Sequence, residues 1–151
     1  MTKKLIREWK KVFPSDLPYI VYELKELTKS PAMVVLEGPM GVGKTTFTQH
    51  FTGVGETMSP TYSVLSETGQ ILHGDFYRVE AQDELIPLEI PLYLEGKHYF
   101  LAEWGDKFSR RLLRELPETW SSYSLEISFG KSATEGDEPS RNFSLFTLTE
   151  D

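Results

Sequence analysis

One continuous run in the chain has the residue types and spacing of phosphate chemistry. Gly38-Pro39-Met40-Gly41-Val42-Gly43-Lys44-Thr45 satisfies G-x-x-x-x-G-K-S/T at every defined position. Its glycines let backbone N–H groups converge on phosphate oxygens, and a helix starting near Lys44 adds the positive end of its dipole to the same concavity. Lys44 then reaches the β- and γ-phosphates, and Thr45 sets its hydroxyl on Mg²⁺. Two carboxylates complete the set. Glu103 closes the apolar run Tyr99-Phe100-Leu101-Ala102. That is the pattern of a strand beside the phosphate-loop strand, with its terminal acid serving the metal directly or through water. Asp75 stands in His73-Gly74-Asp75-Phe76-Tyr77-Arg78 at the end of another extended run, where such proteins keep catalytic groups. The chemistry implied is in-line attack of water on a γ-phosphate, with Lys44, the cation and the loop amides stabilising the developing charge. Arg78 is the one motif-based candidate for an arginine finger.

These residues need a scaffold, and the flanking patterns supply one. Ala32-Met33-Val34-Val35-Leu36 reads as the strand that delivers the loop, and Thr46-Phe47-Thr48-Gln49-His50-Phe51 continues as a helix behind it. Upstream, Leu17, Ile20, Val21, Leu24 and Leu27 recur at helical spacing, with Ser15 or Asp16 as the cap and Ser30-Pro31 as the stop. Downstream, Met58-Ser59-Pro60-Thr61-Tyr62 suits a loop facing a nucleotide. Tyr62 to Ser66 and Ile71 to Phe76 then form a hairpin through Glu67-Thr68-Gly69-Gln70. Pro87 and Pro91 break the stretch from Gln82 to Leu94 into short helical turns. Lys107 to Leu116 is a helix with Phe108, Leu112 and Leu116 inward and Arg110, Arg111 and Arg114 outward. A last hairpin alternates Tyr123, Leu125, Ile127 and Phe129, returns through Phe143, Leu145 and Leu148, and carries a polar loop over 130–140. The reading is an α/β fold of the P-loop NTPase type, three-layered, with a mostly parallel sheet and antiparallel strands added at its edge. Residues 1–151 form a single domain, opened by a basic segment over 1–14 that reads as a solvated face, with an adhesive surface for an acidic partner or RNA as the alternative.

Composition narrows the function. A net charge of −7 argues against a bulk electrostatic grip on nucleic acid. The absence of cysteine removes disulfides and thiolate metal sites, and three scattered histidines do not make a zinc site. No run reaches membrane-spanning length and Met1 to Lys11 lacks the apolar core of a secretory signal, so the expectation is a soluble cytoplasmic protein. No N-K-x-D or T-K-x-D guanine signature is present.

In chain order, GPMGVGKTT, SPTYSV, HGDFYR, Asp83-Glu84-Leu85 and LAEW closely resemble the bacterial tRNA threonylcarbamoyladenosine biosynthesis ATPases, the TsaE family, formerly YjeE. The resemblance implies a weak Mg-ATPase that acts with the partners TsaD and TsaB in modifying the adenosine beside the anticodon. It implies that tRNA is met through those partners, and that neither DNA nor membrane is a partner. Gly38, Gly41, Val42, Gly43, Lys44, Thr45 and Thr46 would bind ATP, and Thr45 and Glu103 would serve Mg²⁺. Asp75 would orient the attacking water or the metal shell, and Trp104 would lie near the nucleotide. Ser15 would contact the base or ribose, and Ser59 and Thr61 would belong to a loop that senses the γ-phosphate. The family's usual loop is G-D-L-G-A-G-K-T-T; Pro39, Met40 and Val42 replace its Asp, Leu and Ala, positions expected to act through their backbone. Two other readings stay open on the residues alone: a small-molecule kinase, and a nucleotide-gated binding module without essential hydrolysis.

Overall fold

The structure is a computed structural model, and it describes residues 1–53, 64–131 and 139–150. Its centre is β2 (Ala32–Glu37), whose unbroken apolar run is buried on both faces as a strand inside a parallel sheet requires. β2 pairs in parallel with β5 (Tyr99–Glu103) on one side and β6 (Ser121–Phe129) on the other, and β5 pairs in parallel with β4 (Ile71–Asp75). Antiparallel strands close both ends: β3 (Leu65–Thr68) lies on β4, β7 (Arg141–Thr149) on β6, and β1 (Thr2–Val12) on β7. The seven-stranded order is β1-β7-β6-β2-β5-β4-β3.

Side-chain alternation along the strands divides the core in two. Ala32, Val34 and Leu36 pack with Leu101 against α1 (Leu17–Leu27) and α2 (Lys44–Thr52), through Leu17, Ile20, Val21, Leu24, Phe47 and Phe51. Met33, Val35, Phe100 and Ala102 pack on the other face against a 3₁₀ segment (Gln82–Leu88), α3 (Ile90–Leu94) and α4 (Ser109–Glu115), through Leu85, Ile90, Leu94 and Leu112. Each such aliphatic or aromatic side chain, fully withdrawn from water, contributes about 1.5–3 kcal/mol. Three layers follow, with the C-terminal ends of β2, β4 and β5 meeting at one edge.

Several expectations are corrected in detail. The basic residues of the segment over 1–14 are exposed, as expected, but the segment is not irregular: eleven of its residues form β1. Lys3 bonds Glu37 at 2.5 Å and Glu126 at 3.1 Å, and Arg7 pairs with Glu23 of α1 at 3.2 Å. The closing hairpin is consequently interior to the sheet, because β1 takes the edge beyond β7. The first helix is entered through a 3₁₀ turn, Pro14–Asp16, where Asp16 Oδ2 accepts the Phe13 N–H at 2.9 Å. The turn between β3 and β4 is Gly69-Gln70 alone, with Gly69 in the left-handed region. The Met58 to Tyr62 stretch, with Ser59 and Thr61, and residues 132–138 of the polar loop lie outside the described residues. Among the described residues, no helix is long and apolar enough to cross a membrane.

Candidate functional site

The phosphate loop leaves the end of β2 and is held against β6. A Cβ on Gly38 would lie 2.5 Å from the Ile127 carbonyl oxygen, so only glycine passes there. Gly43 has φ 115° and is the residue from which α2 starts; its carbonyl accepts the Phe47 N–H at 2.9 Å. Val42, expected to act mainly through its backbone, also has a packed side chain. Its side chain is 1% exposed and belongs to the core under α1 and α2, so it anchors the loop from within. From outside, Arg141 Nε donates to the Val42 carbonyl at 2.8 Å, while its guanidinium lies 4.6 Å from the Phe129 ring centroid. Sequence reasoning missed Arg141, which sits in no motif.

Lys44, at the start of α2, folds back: its amine donates to the Gly38 carbonyl and lies 3.2 Å from the centroid of the Trp104 ring. Burial pushes its pKa below the ordinary lysine value, and the nearby Glu103, Asp106 and Asp75 carboxylates offset only part of that. Thr45 Oγ1 donates to Glu103 Oε1 at 2.9 Å. The other oxygen of Glu103, Oε2, is hydrogen-bonded to His73 Nε2, so Thr45, Glu103 and His73 form one chain of contacts. Register explains the convergence. Glu103 stands opposite Leu36 on β2 and opposite Asp75 on β4, at the shared C-terminal edge of three parallel strands.

The HGDFYR run divides into chemistry and packing. Gly74 leaves room for Phe76, since a Cβ there would come within 2.7 Å of the Phe76 ring. Phe76 is fully buried and packs edge-on to Phe100 at 6.4 Å. Asp75 is exposed at the site and its Oδ1 accepts the Tyr77 N–H at 3.1 Å, which fixes the turn. The Tyr77 ring lies 5.0 Å from that of Trp104. Trp104 has φ 59°, a left-handed conformation costing about 1–2 kcal/mol for a residue with a Cβ, and it carries the ring that lies under the Lys44 amine. Arg78 is exposed and does not line the cleft. In Asp83-Glu84-Leu85 the work is structural: Glu84 Oε2 accepts the N–H groups of Glu80 and Ala81, each at 2.7 Å, and Leu85 is buried.

Lys44, Thr45, Thr46, Gly41, Gly43, Asp75, Glu103 and Trp104, all singled out in the sequence, line a single cleft together with Met40 and Tyr77. A second, more apolar cleft opens on the other side of the same loop. Val12, Phe13, Pro14, Leu17, Phe143 and Arg141 form it around Gly41, Gly43 and Thr46. Ser15 is exposed on the adjoining 3₁₀ turn and is not among the residues that line this cleft, whereas its neighbours Phe13 and Pro14 are. The paired hydroxyl and carboxylate of Thr45 and Glu103 are hard oxygen donors of the kind Mg²⁺ selects, and their 2.9 Å separation lets both meet one small cation.

Comparison with known proteins agrees with this architecture. A family model described as threonylcarbamoyl adenosine biosynthesis protein TsaE matches residues 14–137. The tRNA threonylcarbamoyladenosine biosynthesis protein TsaE of Bacillus subtilis (strain 168) is 33% identical over 116 residues, 72% of each chain. Its namesake in Haemophilus influenzae is 36% identical over 92 residues, 56% of this chain and 58% of the relative. That of Nostoc sp. is 29% identical over 133 residues, 78% of this chain and 72% of the relative. The crystal structure of Bacillus subtilis YdiB aligns over 99% of this chain and 89% of its own, with a TM-score of 0.59 and 24% identity, a likeness of fold. Since the matched span runs from the turn before α1 past the phosphate loop, Asp75 and Glu103, the chain belongs to the TsaE family, which serves threonylcarbamoyladenosine biosynthesis on tRNA.

Proposed function

We propose that the chain is a Mg-ATP-binding P-loop ATPase that works with a TsaD–TsaB pair in the modification of the adenosine beside the anticodon, meeting tRNA through those partners. The observation that carries the reading is the meeting of the Lys44 amine, the Thr45–Glu103 pair and the glycine-turned loop in one cleft at the strand ends. Thr45 and Glu103 would hold Mg²⁺, which when bound neutralises charge on the β- and γ-phosphate oxygens. Lys44 exchanges the Gly38 carbonyl and the Trp104 face for phosphate oxygens, and its desolvated ammonium is more strongly attracted to them than it would be in water. The Gly41–Gly43 amides and the N-terminus of α2 supply further positive potential. Asp75, exposed beside Glu103, orients the attacking water. The apolar cleft beyond the loop suits a purine base, held between Phe13, Pro14 and Phe143.

Among the described residues no arginine lines the polar cleft. Hydrolysis by the chain alone is accordingly slow, because a missing arginine finger costs about three to five orders of magnitude, and the partners supply the acceleration. The test is ATP hydrolysis by the purified chain, alone and with TsaD and TsaB, with Lys44→Ala as the blank. Stimulation that Lys44→Ala abolishes is the expected result. Equal rates with and without partners would remove the partnered role, and consumption that depends on an added small-molecule hydroxyl would point to a kinase.

A further inference from the structure

The HGDFYR run begins with a residue that the chemistry above does not use. His73 lies in the middle of β4, one pleat before Asp75 and on the same face, where register sets it opposite Leu101 and diagonal to Glu103. The His73 and Glu103 side chains are 6% and 3% exposed. Glu103 is therefore a carboxylate inside the protein with both oxygens committed, Oε1 to the Thr45 hydroxyl and Oε2 to His73 Nε2. As a ligand to a cation Glu103 would be an ionised carboxylate, which only accepts hydrogen bonds, and the His73 ring would then be the donor through Nε2.

Two consequences follow from that assignment. A carboxylate held at one oxygen alone can rotate about its terminal torsion, which is broad and two-fold. Held at both, it keeps one edge toward Thr45. Removing the ring's donor would also leave Oε2 buried without a partner, and the group would turn to recover one. We propose that His73 is a positioning residue, which fixes the Glu103 carboxylate by donating Nε2–H to Oε2 so that Oε1 and the Thr45 hydroxyl face a divalent cation together. This rests on the Mg-ATP reading above. Partners in this position, one bond removed from a metal, typically govern about 10- to 100-fold in metal affinity.

The experiment compares wild type with His73→Gln, whose Nε2 can stand where the imidazole donor stood, and His73→Met, of similar length but without a donor. Binding of a fluorescent ATP analogue is titrated with Mg²⁺, and separately measured in EDTA. His73→Met should raise the half-saturating Mg²⁺ concentration about tenfold or more, leave binding in EDTA unchanged, and be rescued by His73→Gln to within about threefold. A folded His73→Met protein with the wild-type Mg²⁺ dependence overturns the inference and leaves the Mg-ATP reading standing. Wild-type binding that ignores Mg²⁺ overturns that reading, and the inference with it. A second measurement needs no variant. In a long-range ¹H–¹⁵N spectrum of wild type with Mg²⁺ and the analogue, His73 Nε2 should carry the hydrogen, and an unprotonated Nε2 would overturn the assignment even if His73→Met failed to fold.

Discussion

On one side of the Gly41–Gly43 backbone the cleft is lined by Lys44, Thr45, Asp75 and Glu103; on the other it is lined by Val12, Phe13, Pro14, Leu17 and Phe143. The first group lies between residues 38 and 104 and hangs on three parallel strand ends. The second is drawn from the two ends of the chain, brought together where β1 and β7 pair. One loop therefore divides a polar, charge-handling side from an apolar side, and the two should respond separately to mutation. On the proposed function, charge and metal would belong to the first, and recognition of the base to the second.

The largest break in that comparison is Lys44→Ala, which should weaken nucleotide binding by about 100-fold and silence hydrolysis, as measured by fluorescent-nucleotide titration and phosphate release. The same position has an opposite effect on the unliganded fold. The folded-state pKa of Lys44 is depressed, so between it and the ordinary lysine value the unfolded chain binds more protons, and stability from this group rises with pH in that window. Lys44→Met should therefore melt no lower than wild type at pH 7, and its advantage should shrink as pH rises toward 10, a trend that urea melts across that range would reveal. A melt that worsens at pH 7 would mean that the Trp104 and Gly38 contacts outweigh the desolvation.

Next in size is Glu103→Gln, which should lower hydrolysis by about 100-fold while leaving ATP binding in EDTA within twofold. A parallel loss of both would deny the division of labour within the polar side. Phe13→Ala tests the apolar side: ATP affinity should fall about tenfold, near 1.4 kcal/mol, while affinity for tripolyphosphate stays unchanged. Equal loss for both ligands would show that the second cleft does not hold the base. The smallest effect belongs to Ser15→Ala, where less than a twofold change in ATP affinity is expected because Ser15 is exposed and lines neither cleft.

The polar side was almost wholly legible from residue order, and for a physical reason. Close backbone approach at Gly38 and left-handed turns at Gly41 and Gly43 demand glycine, and an apolar run ending in Glu103 announces a strand and its terminal acid. Such demands leave signatures that are local and specific. The apolar side leaves none, since Val12, Leu17 and Phe143 are chosen for bulk and many residues supply bulk. β1 escaped notice for a related reason. Register shifts between Leu5 and Arg7 and between Trp9 and Val12 break the period of two, so its buried residues, Trp9 and Val12, fall three apart. The contact of His73 leaves no signature in the sequence either, because strand spacing reveals which face a residue occupies and not which carboxylate it meets.

The pairing of β1 with β7 also gives the molecule an order in time. Thr2 stands opposite Thr149 and Val12 opposite Arg141, so β1 has no sheet partner until β7, made after every other described strand, is present. A nascent chain that has emerged as far as Phe129 already holds all the described lining residues of the polar cleft, yet lacks Arg141 and Phe143. Joining strands so far apart in sequence carries a larger loop-closure entropy than any other strand pairing in the sheet. Lys3, Lys4, Arg7, Lys10 and Lys11 on this edge strand set like charges where a second copy would have to add a strand, which disfavours edge-to-edge pairing. Translation thus completes the polar side of the loop before the apolar side.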